Sequence, residues 1–219
     1  MSVRAVLLDA LGTLVRLEPP VPALRAELRK VGIEADEETA ARAIGAEIAY
    51  YLEHHMEGGD RESLERLRDR CAEQLAAVLG VEGPRVREAM LASLRFTAFP
   101  DVAPSLRRLR SRGLRLVIAS NWDCSLPEWM ADAGLLELLD GAASSAVVGE
   151  PKPGPAVFRR ALSIAGVPAR HAVHVGDSLE GDVEGARAAG IRAIMLVREG
   201  EPPPGVEAIR SLSELPSLL

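Results

Sequence analysis

The sequence predicts an α/β protein: a doubly wound, parallel, Rossmann-like sheet interrupted near its start by an inserted all-helical domain. Three observations lead there. Val3 to Leu8 is an unbroken β-friendly run that ends at Asp9, as expected of a strand buried on both faces. From Pro19 to about Phe96 the pattern is helical throughout, with no strand. After that, apolar strand-like runs alternate with helical patterns, the sign of parallel βαβ units.

Taken in order, the first strand leads into a turn over Ala10 to Leu14 containing Gly12. Helices are expected over Pro22–Val31, Glu37–Met56, Glu62–Leu79 and Pro84–Leu94, with breaks at Gly32, Gly58-Gly59 and Gly80 with Gly83-Pro84, where chain-breaking residues belong. Then come a helix over Ala103–Arg112, a strand over Leu114–Ala119 and a helix over Leu126–Ala133. A weak strand over Ala142–Val148 and a helix over Pro155–Ala165 follow. The series closes with a strand over Ala172–Val175, a helix over Glu180–Ala189 and a strand over Ile191–Val197. Residues 1–15 and 96–219 are therefore expected to form the α/β core, and 16–95 the helical insertion. Glu201 to Gly205 reads as a short rigid loop.

Composition narrows the function. The chain has 219 residues, 47% hydrophobic and 26% charged, enough apolar surface to offset chain entropy. A net charge of −6 and only 3% aromatic residues argue against nucleic-acid binding, which needs a basic footprint. No apolar stretch reaches the length of a membrane span, and the N-terminal run, interrupted by Asp9, does not read as a signal peptide. Cys71 and Cys124 match no disulfide or zinc spacing, so a reducing cytoplasm is the expected compartment.

In an open parallel sheet, ligands bind beyond the carboxyl ends of the strands. Asp9 follows the first strand and Ser120-Asn121 the second. Lys152 lies in Gly-Glu-Pro-Lys-Pro after the weak third strand, and Gly176-Asp177-Ser178 follows the fourth, with Asp182 five residues beyond Asp177. Singly, each has an ordinary reading as a cap or turn residue; all at successive strand ends imply a site. Asp9, Asp177 and Asp182 in one pocket would repel one another unless a cation sat among them, and oxygen-only ligands suit Mg²⁺. Ser120 and Lys152 would serve the oxygens of an anionic group. Nucleophilic carboxylate, hard metal and cationic clamp together describe phosphoryl transfer.

These stretches resemble the four motifs, in order, of the haloacid dehalogenase-like (HAD) hydrolase superfamily: Asp9-Ala-Leu-Gly-Thr-Leu, Ala119-Ser-Asn, Lys152 in its proline-flanked loop, and Gly176-Asp-Ser-Leu-Glu-Gly-Asp182. The helical insertion after the first motif is similar to the α-helical cap of subclass I. The resemblance implies Asp9 as nucleophile, with Ser120 hydrogen-bonding the transferring group and Lys152 neutralising it. It implies Mg²⁺ held by Asp9, Asp177 and the Leu11 backbone carbonyl, with Asp182 behind the metal and Thr13 orienting the site. Asn121 and Trp122 are expected at the substrate, a small phosphorylated or other anionic compound.

One position departs from the pattern. Phosphatases of the superfamily carry an aspartate, the general acid for the leaving alkoxide, where this chain has Leu11. Positioned acid–base catalysis contributes ~10²–10⁴-fold, so a leucine there predicts weak turnover of ordinary monoesters and a preference for good leaving groups. Dehalogenases need no such acid, and phosphonate-cleaving members use a cap lysine. Metal-free dehalogenases, however, replace the acid found here as Asp177, and the cap's only lysine, Lys30 in Glu27-Leu-Arg-Lys, reads as a solvated helix face. A binding relative without catalysis is the remaining alternative. His54-His55 read as a helix end, and His171 and His174 as packing residues around a buried strand.

Overall fold

The computed structural model describes residues 2–219. The chain forms two compact units, Met1–Arg16 with Ala98–Leu219, and Leu17–Thr97.

The first unit is built on a six-stranded sheet. Its strands are β1 (Ala5–Leu8), then, after β2 (Val15–Leu17), helices α1 to α4 and β3 (Phe96–Ala98), β4 (Arg115–Ser120), β5 (Gly141–Ser144), β6 (Ala172–Gly176), β7 (Arg192–Leu196) and β8 (Ala208–Ile209). The order across the sheet is β5-β4-β1-β6-β7-β8, and every pairing is parallel. Strand β1 is wholly buried at the centre, as its uninterrupted apolar run predicts. Around the sheet lie α5 (Val102–Ser111), α6 (Leu126–Asp132), α7 (Ser145–Val148), α8 (Pro155–Ala165), α9 (Gly185–Ala188) and α10 (Leu215–Leu218). Val157, Phe158 and Ala161 of α8 pack on Leu7, Val117 and Ala119 in one fully buried aliphatic cluster. The sheet winds outward in both directions from β1, because β4 and β6 flank it on either side. That is the switch point at which such sheets bind ligands.

Two of the expected elements differ. The strand expected over Ala142–Val148 ends at Ser144 and turns into α7. Its neighbour β4 stops at Ser120, so no ladder exists for residues 145–148. Their polar groups turn to Trp122 instead, whose backbone N–H donates to Ser145 Oγ and whose carbonyl accepts from Ala146 N–H. The helix expected over Glu180–Ala189 begins as a wider π-helical turn, Leu179–Glu184, before α9. Ser178 Oγ caps that turn by accepting from Gly181 N–H. The short β2, β3, β8 and α10 were not expected; strands of two or three residues show no periodicity to read. Strands β2 and β3 pair as a two-stranded sheet where the chain leaves and re-enters the first unit.

The second unit holds α1 (Pro20–Lys30), α2 (Glu37–His54), α3 (Arg61–Leu79) and α4 (Gly83–Ser93). Asp36 caps α2 by accepting from Thr39 N–H, and Asp60 with Ser63 forms a reciprocal capping box on α3. The buried faces follow helical spacing: Leu24 and Leu28 on α1, Leu64, Leu67, Cys71 and Leu75 on α3. On α2 the stripe Ala40, Ala43, Ile44 continues to Glu47, a carboxyl group where the period calls for an apolar residue. Lys30 is exposed and pairs with Glu27 on its own helix, and His54 stacks on Tyr50 and bonds Glu57.

Glu47 is 3% exposed, and burial pushes its carboxyl up to about 7, only partly offset by a hydrogen bond with the Cys71 thiol. The folded unit therefore holds a proton that the unfolded chain releases at its ordinary value of 4.5. Stability from this group is complete below pH 4.5 and declines as pH rises to about 7, a loss on the order of 3 kcal/mol. Amide hydrogen exchange in α2 and α3 should accordingly quicken between pH 5 and 8 beyond the intrinsic rate, and Glu47→Gln should flatten that dependence. An unchanged pH profile in the variant would remove Glu47 as its source.

Candidate active site

The parallel register brings the sequence motifs together. Leu8 of β1 lies opposite Ile118 of β4 and Val175 of β6, so the residues that follow, Asp9, Ser120 and Asp177, emerge at the same end of three adjacent strands. Asp9 N–H donates to Val175 O at 2.9 Å. Lys152 arrives from the loop after α7. The Asn121 side chain fixes that loop, its Oδ1 accepting from Lys152 N–H at 2.7 Å and its Nδ2 donating to Lys152 O at 3.1 Å.

At the centre, the Lys152 ammonium donates to Asp9 Oδ1 and to Asp182 Oδ1, both at 2.6 Å. Ser120 Oγ donates to the same Asp9 oxygen at 2.9 Å. No donor among the described residues reaches Asp9 Oδ2. Both oxygens of Asp182 are engaged: Oδ1 also accepts from His174 Nε2 at 2.8 Å, and Oδ2 from Ser178 N–H at 3.0 Å. His174 is wholly buried, its ring edge-on to Phe158. The reading of His174 as packing alone is corrected here: a polar ring inside a fully buried strand needs a partner, and that partner is Asp182.

Two glycines permit the close packing. A side-chain carbon on Gly12, whose φ is +82°, would lie 2.1 Å from Asp177 Oδ2, and one on Gly176 would lie 2.1 Å from the Asp182 carboxyl carbon. No other residue fits either position without moving a carboxylate.

The electrostatics show what the cluster lacks. Although burial works against its ionisation, the His174 hydrogen bond and the Lys152 charge hold the Asp182 carboxyl well below the carboxylate range. Burial also disfavours the Lys152 charge, yet Asp9 and Asp182 together raise its pKa. The Asp9 carboxyl is pushed up by burial and by Asp182 against the pull of Lys152. Burial and the charges of Asp9 and Asp182 push Asp177 up to about 6. Three carboxylates share one ammonium, and the deficit of positive charge falls on the Asp9–Asp177 side.

A divalent cation suits that deficit. One carboxylate oxygen from each of Asp9, Asp177 and Asp182 lies within 4.8 Å of the others. Ligands on one Mg²⁺ stand at most about 4.2 Å apart, so a small contraction suffices. Asp182 has both oxygens taken, which leaves Asp9 and Asp177 as the carboxylates open to a metal.

The remaining expected residues take distinct places. Leu11 lies in the turn after Asp9 with 44% of its surface exposed, an apolar side chain facing solvent. Thr13 is fully buried and its hydroxyl finds no partner among the described residues, so its side chain does not join the polar cluster. Trp122 is 5% exposed, with its backbone anchoring α7. Sequence reasoning missed Arg198, whose guanidinium donates to the carbonyls of Gly12 and Thr13; an arginine just past a strand end was the available signal.

The haloacid dehalogenase-like hydrolase family profile matches residues 3–190. The chain is 36% identical over 115 residues to bovine (Bos taurus) haloacid dehalogenase-like hydrolase domain-containing protein 3, covering 52% of this chain and 46% of that protein. It is 38% identical over 105 residues to a phosphoserine phosphatase of Thermus thermophilus, covering 48% and 42%. The matched stretches thus span less than half the length of these curated relatives. An L-2-haloacid dehalogenase structure from Xanthobacter autotrophicus superposes with a TM-score of 0.72 over 99% of this chain and 98% of that one at 22% identity, a likeness of fold. No described helix is long and apolar enough to cross a membrane. The match over most of the chain, joined to the strand-end cluster, places this protein in the haloacid dehalogenase-like hydrolase family.

Proposed function

We propose that this hydrolase is a Mg²⁺-dependent phosphatase that works through an aspartyl-phosphate on Asp9 and acts on small phosphorylated compounds with good leaving groups. One observation carries the reading: Asp9 has one oxygen pinned by Ser120 and Lys152 while the other meets no donor, beside a second carboxylate, Asp177, that lacks a positive partner. The likeness to a phosphatase at 38% identity supports it. The persistence of Asp177, which metal-free dehalogenation does not require, weighs against the dehalogenase alternative.

Asp9 and Asp177, with the Leu11 carbonyl, would hold Mg²⁺, which when bound offsets the negative charge of carboxylates and phosphate. The Asp9 carboxylate attacks phosphorus, forming the aspartyl P–O bond, and the bond to the leaving group breaks with its electron pair going to the leaving oxygen. Lys152 and Ser120 donate to the transferring oxygens. Water then attacks phosphorus, releasing phosphate and restoring the Asp9 carboxylate, with one proton passing to solvent. Asp182 keeps Lys152 protonated and in place, and Asn121 fixes the loop that presents it, with one amide hydrogen left for substrate. Leu11 can donate no proton, so the leaving group departs as a stable anion, as from an acyl or aryl phosphate. The helical unit, residues 16–95, is read as the cap that selects the substrate.

Hydrolysis of acetyl phosphate and p-nitrophenyl phosphate should require both Asp9 and the metal: Asp9→Asn or a chelator abolishes it. Activity that survives either change would refute the mechanism; halide release from 2-haloacids in place of phosphate release would favour the dehalogenase reading. Restoring an acid should broaden the range of substrates. Leu11→Asp is expected to raise turnover of alkyl phosphates by roughly 100-fold, the lower end of the usual scale of acid catalysis, with Mg²⁺ affinity little changed. No gain would mean that the missing acid does not limit these esters.

A further inference from the structure

We infer that Arg198 is a positioning residue that clamps the turn after the nucleophile and thereby sets the separation of Asp9 and Asp177. Arg198 lies just beyond β7, and its planar fork is used on every edge. Nε donates to Gly12 O at 3.2 Å and Nη2 to Thr13 O at 2.7 Å, while Nη1 reaches both Asp101 oxygens at 3.1 and 3.3 Å. Its face covers the Phe99 ring, with the guanidinium carbon 3.6 Å from the ring centroid. Asp101 is itself held by Ser211 Oγ and Leu212 N–H, each at 2.8 Å. Asp101 and the Phe99 ring therefore fix the guanidinium before it touches the turn.

From outside, the turn is otherwise held through Leu14 O, which accepts from Phe99 N–H at 3.1 Å, beyond the Gly12 and Thr13 carbonyls. Within it, Gly12 N–H donates to Val15 O, and Leu14 and Val15 N–H both donate to Ala10 O. These bonds close the loop on itself and leave the Gly12 and Thr13 carbonyls to Arg198. Gly12 is also the wall against which Asp177 packs, since a side-chain carbon there would sit 2.1 Å from Asp177 Oδ2. Moving Gly12 therefore moves the boundary of Asp177, and with it the gap to Asp9. A lysine carries the same charge toward Asp101 but, lacking the fork, cannot serve two carbonyls and a carboxylate at once.

The clamp itself rests on these contacts alone; its consequence for cation binding rests on the proposed function. Hydrogen exchange of the Gly12, Leu14 and Val15 amides in the intact, substrate-free protein tests the first. Losing a hydrogen bond to a charged group is worth about tenfold or more in an opening equilibrium. Arg198→Met and Arg198→Lys should thus both quicken exchange in the turn by about tenfold, with β1 and β6 amides unchanged. Calorimetric titration with Mg²⁺ alone tests the second, and both variants should bind about tenfold more weakly for the same reason. Wild-type exchange in Arg198→Met would overturn the clamp. Full restoration of slow exchange by Arg198→Lys would also overturn it, because charge rather than the fork would then suffice; that variant keeps the Asp101 pair, so it also guards against simple misfolding. If the unaltered protein binds no Mg²⁺, the proposed function fails while the exchange result still decides the clamp. Quickened exchange with undiminished Mg²⁺ affinity would overturn the link from the turn to the Asp9–Asp177 gap.

Discussion

The site depends on one ammonium group held between two carboxylates. Lys152, with 5% of its side chain exposed, touches Asp9 and Asp182, themselves 8% and 2% exposed. Burying such ions is costly, and the cost is tolerated only where geometry and further hydrogen bonds compensate. Here the compensation is divided unequally. Asp182 receives everything it needs from Lys152, His174 and Ser178, so it stays ionised and serves as a fixed counter-charge. Asp9 receives two donors on one oxygen and none on the other. This asymmetry separates a carboxylate with both oxygens engaged from one with an oxygen left open.

The fold makes the asymmetry possible. Parallel strands β4, β1 and β6 deliver their ends side by side, so residues more than a hundred positions apart in sequence meet without long loops. The Asn121 amide ties the Lys152 loop to the end of β4, fixing the ammonium relative to Asp9. Glycines at positions 12 and 176 let carboxylates pack against backbone where any side chain would collide. At the turn after Asp9, Arg198 supplies a further anchor through the Gly12 and Thr13 carbonyls. The site is thus braced by backbone and by buried ionic contacts, which is how a carboxylate can be kept both close to positive charge and open to an electrophile.

Much of this was legible in the sequence because the signals are local and chemical. An unbroken apolar run ending in Asp9 predicts a central buried strand with a carboxylate at its end, and the structure has that arrangement. The helical block was legible from its periodicity and glycine breaks. Less legible were features that depend on what a segment packs against. Ala142–Val148 has a strand-like composition, yet its neighbour ends at Ser120, and without a partner the chain turns helical. His174 looked like packing because its partner, Asp182, lies on a π-helical turn whose width the sequence does not announce. Arg198 could be noticed as an arginine just past a strand end, but its role could not be read, because its targets on the turn are backbone carbonyls, which any residue provides. Glu47 breaks the apolar stripe of α2, a departure that sequence alone registers but whose burial only packing reveals.

The proposed mechanism requires the Asp9 carboxylate itself to form the covalent bond to phosphorus. Brief incubation with acetyl phosphate and Mg²⁺, acid quenching and peptide mass spectrometry would test it most directly. A base-labile phosphoryl increment is expected on the peptide carrying Asp9 and not in Asp9→Asn. Phosphate release with no such adduct, or an adduct on a different residue, would contradict it.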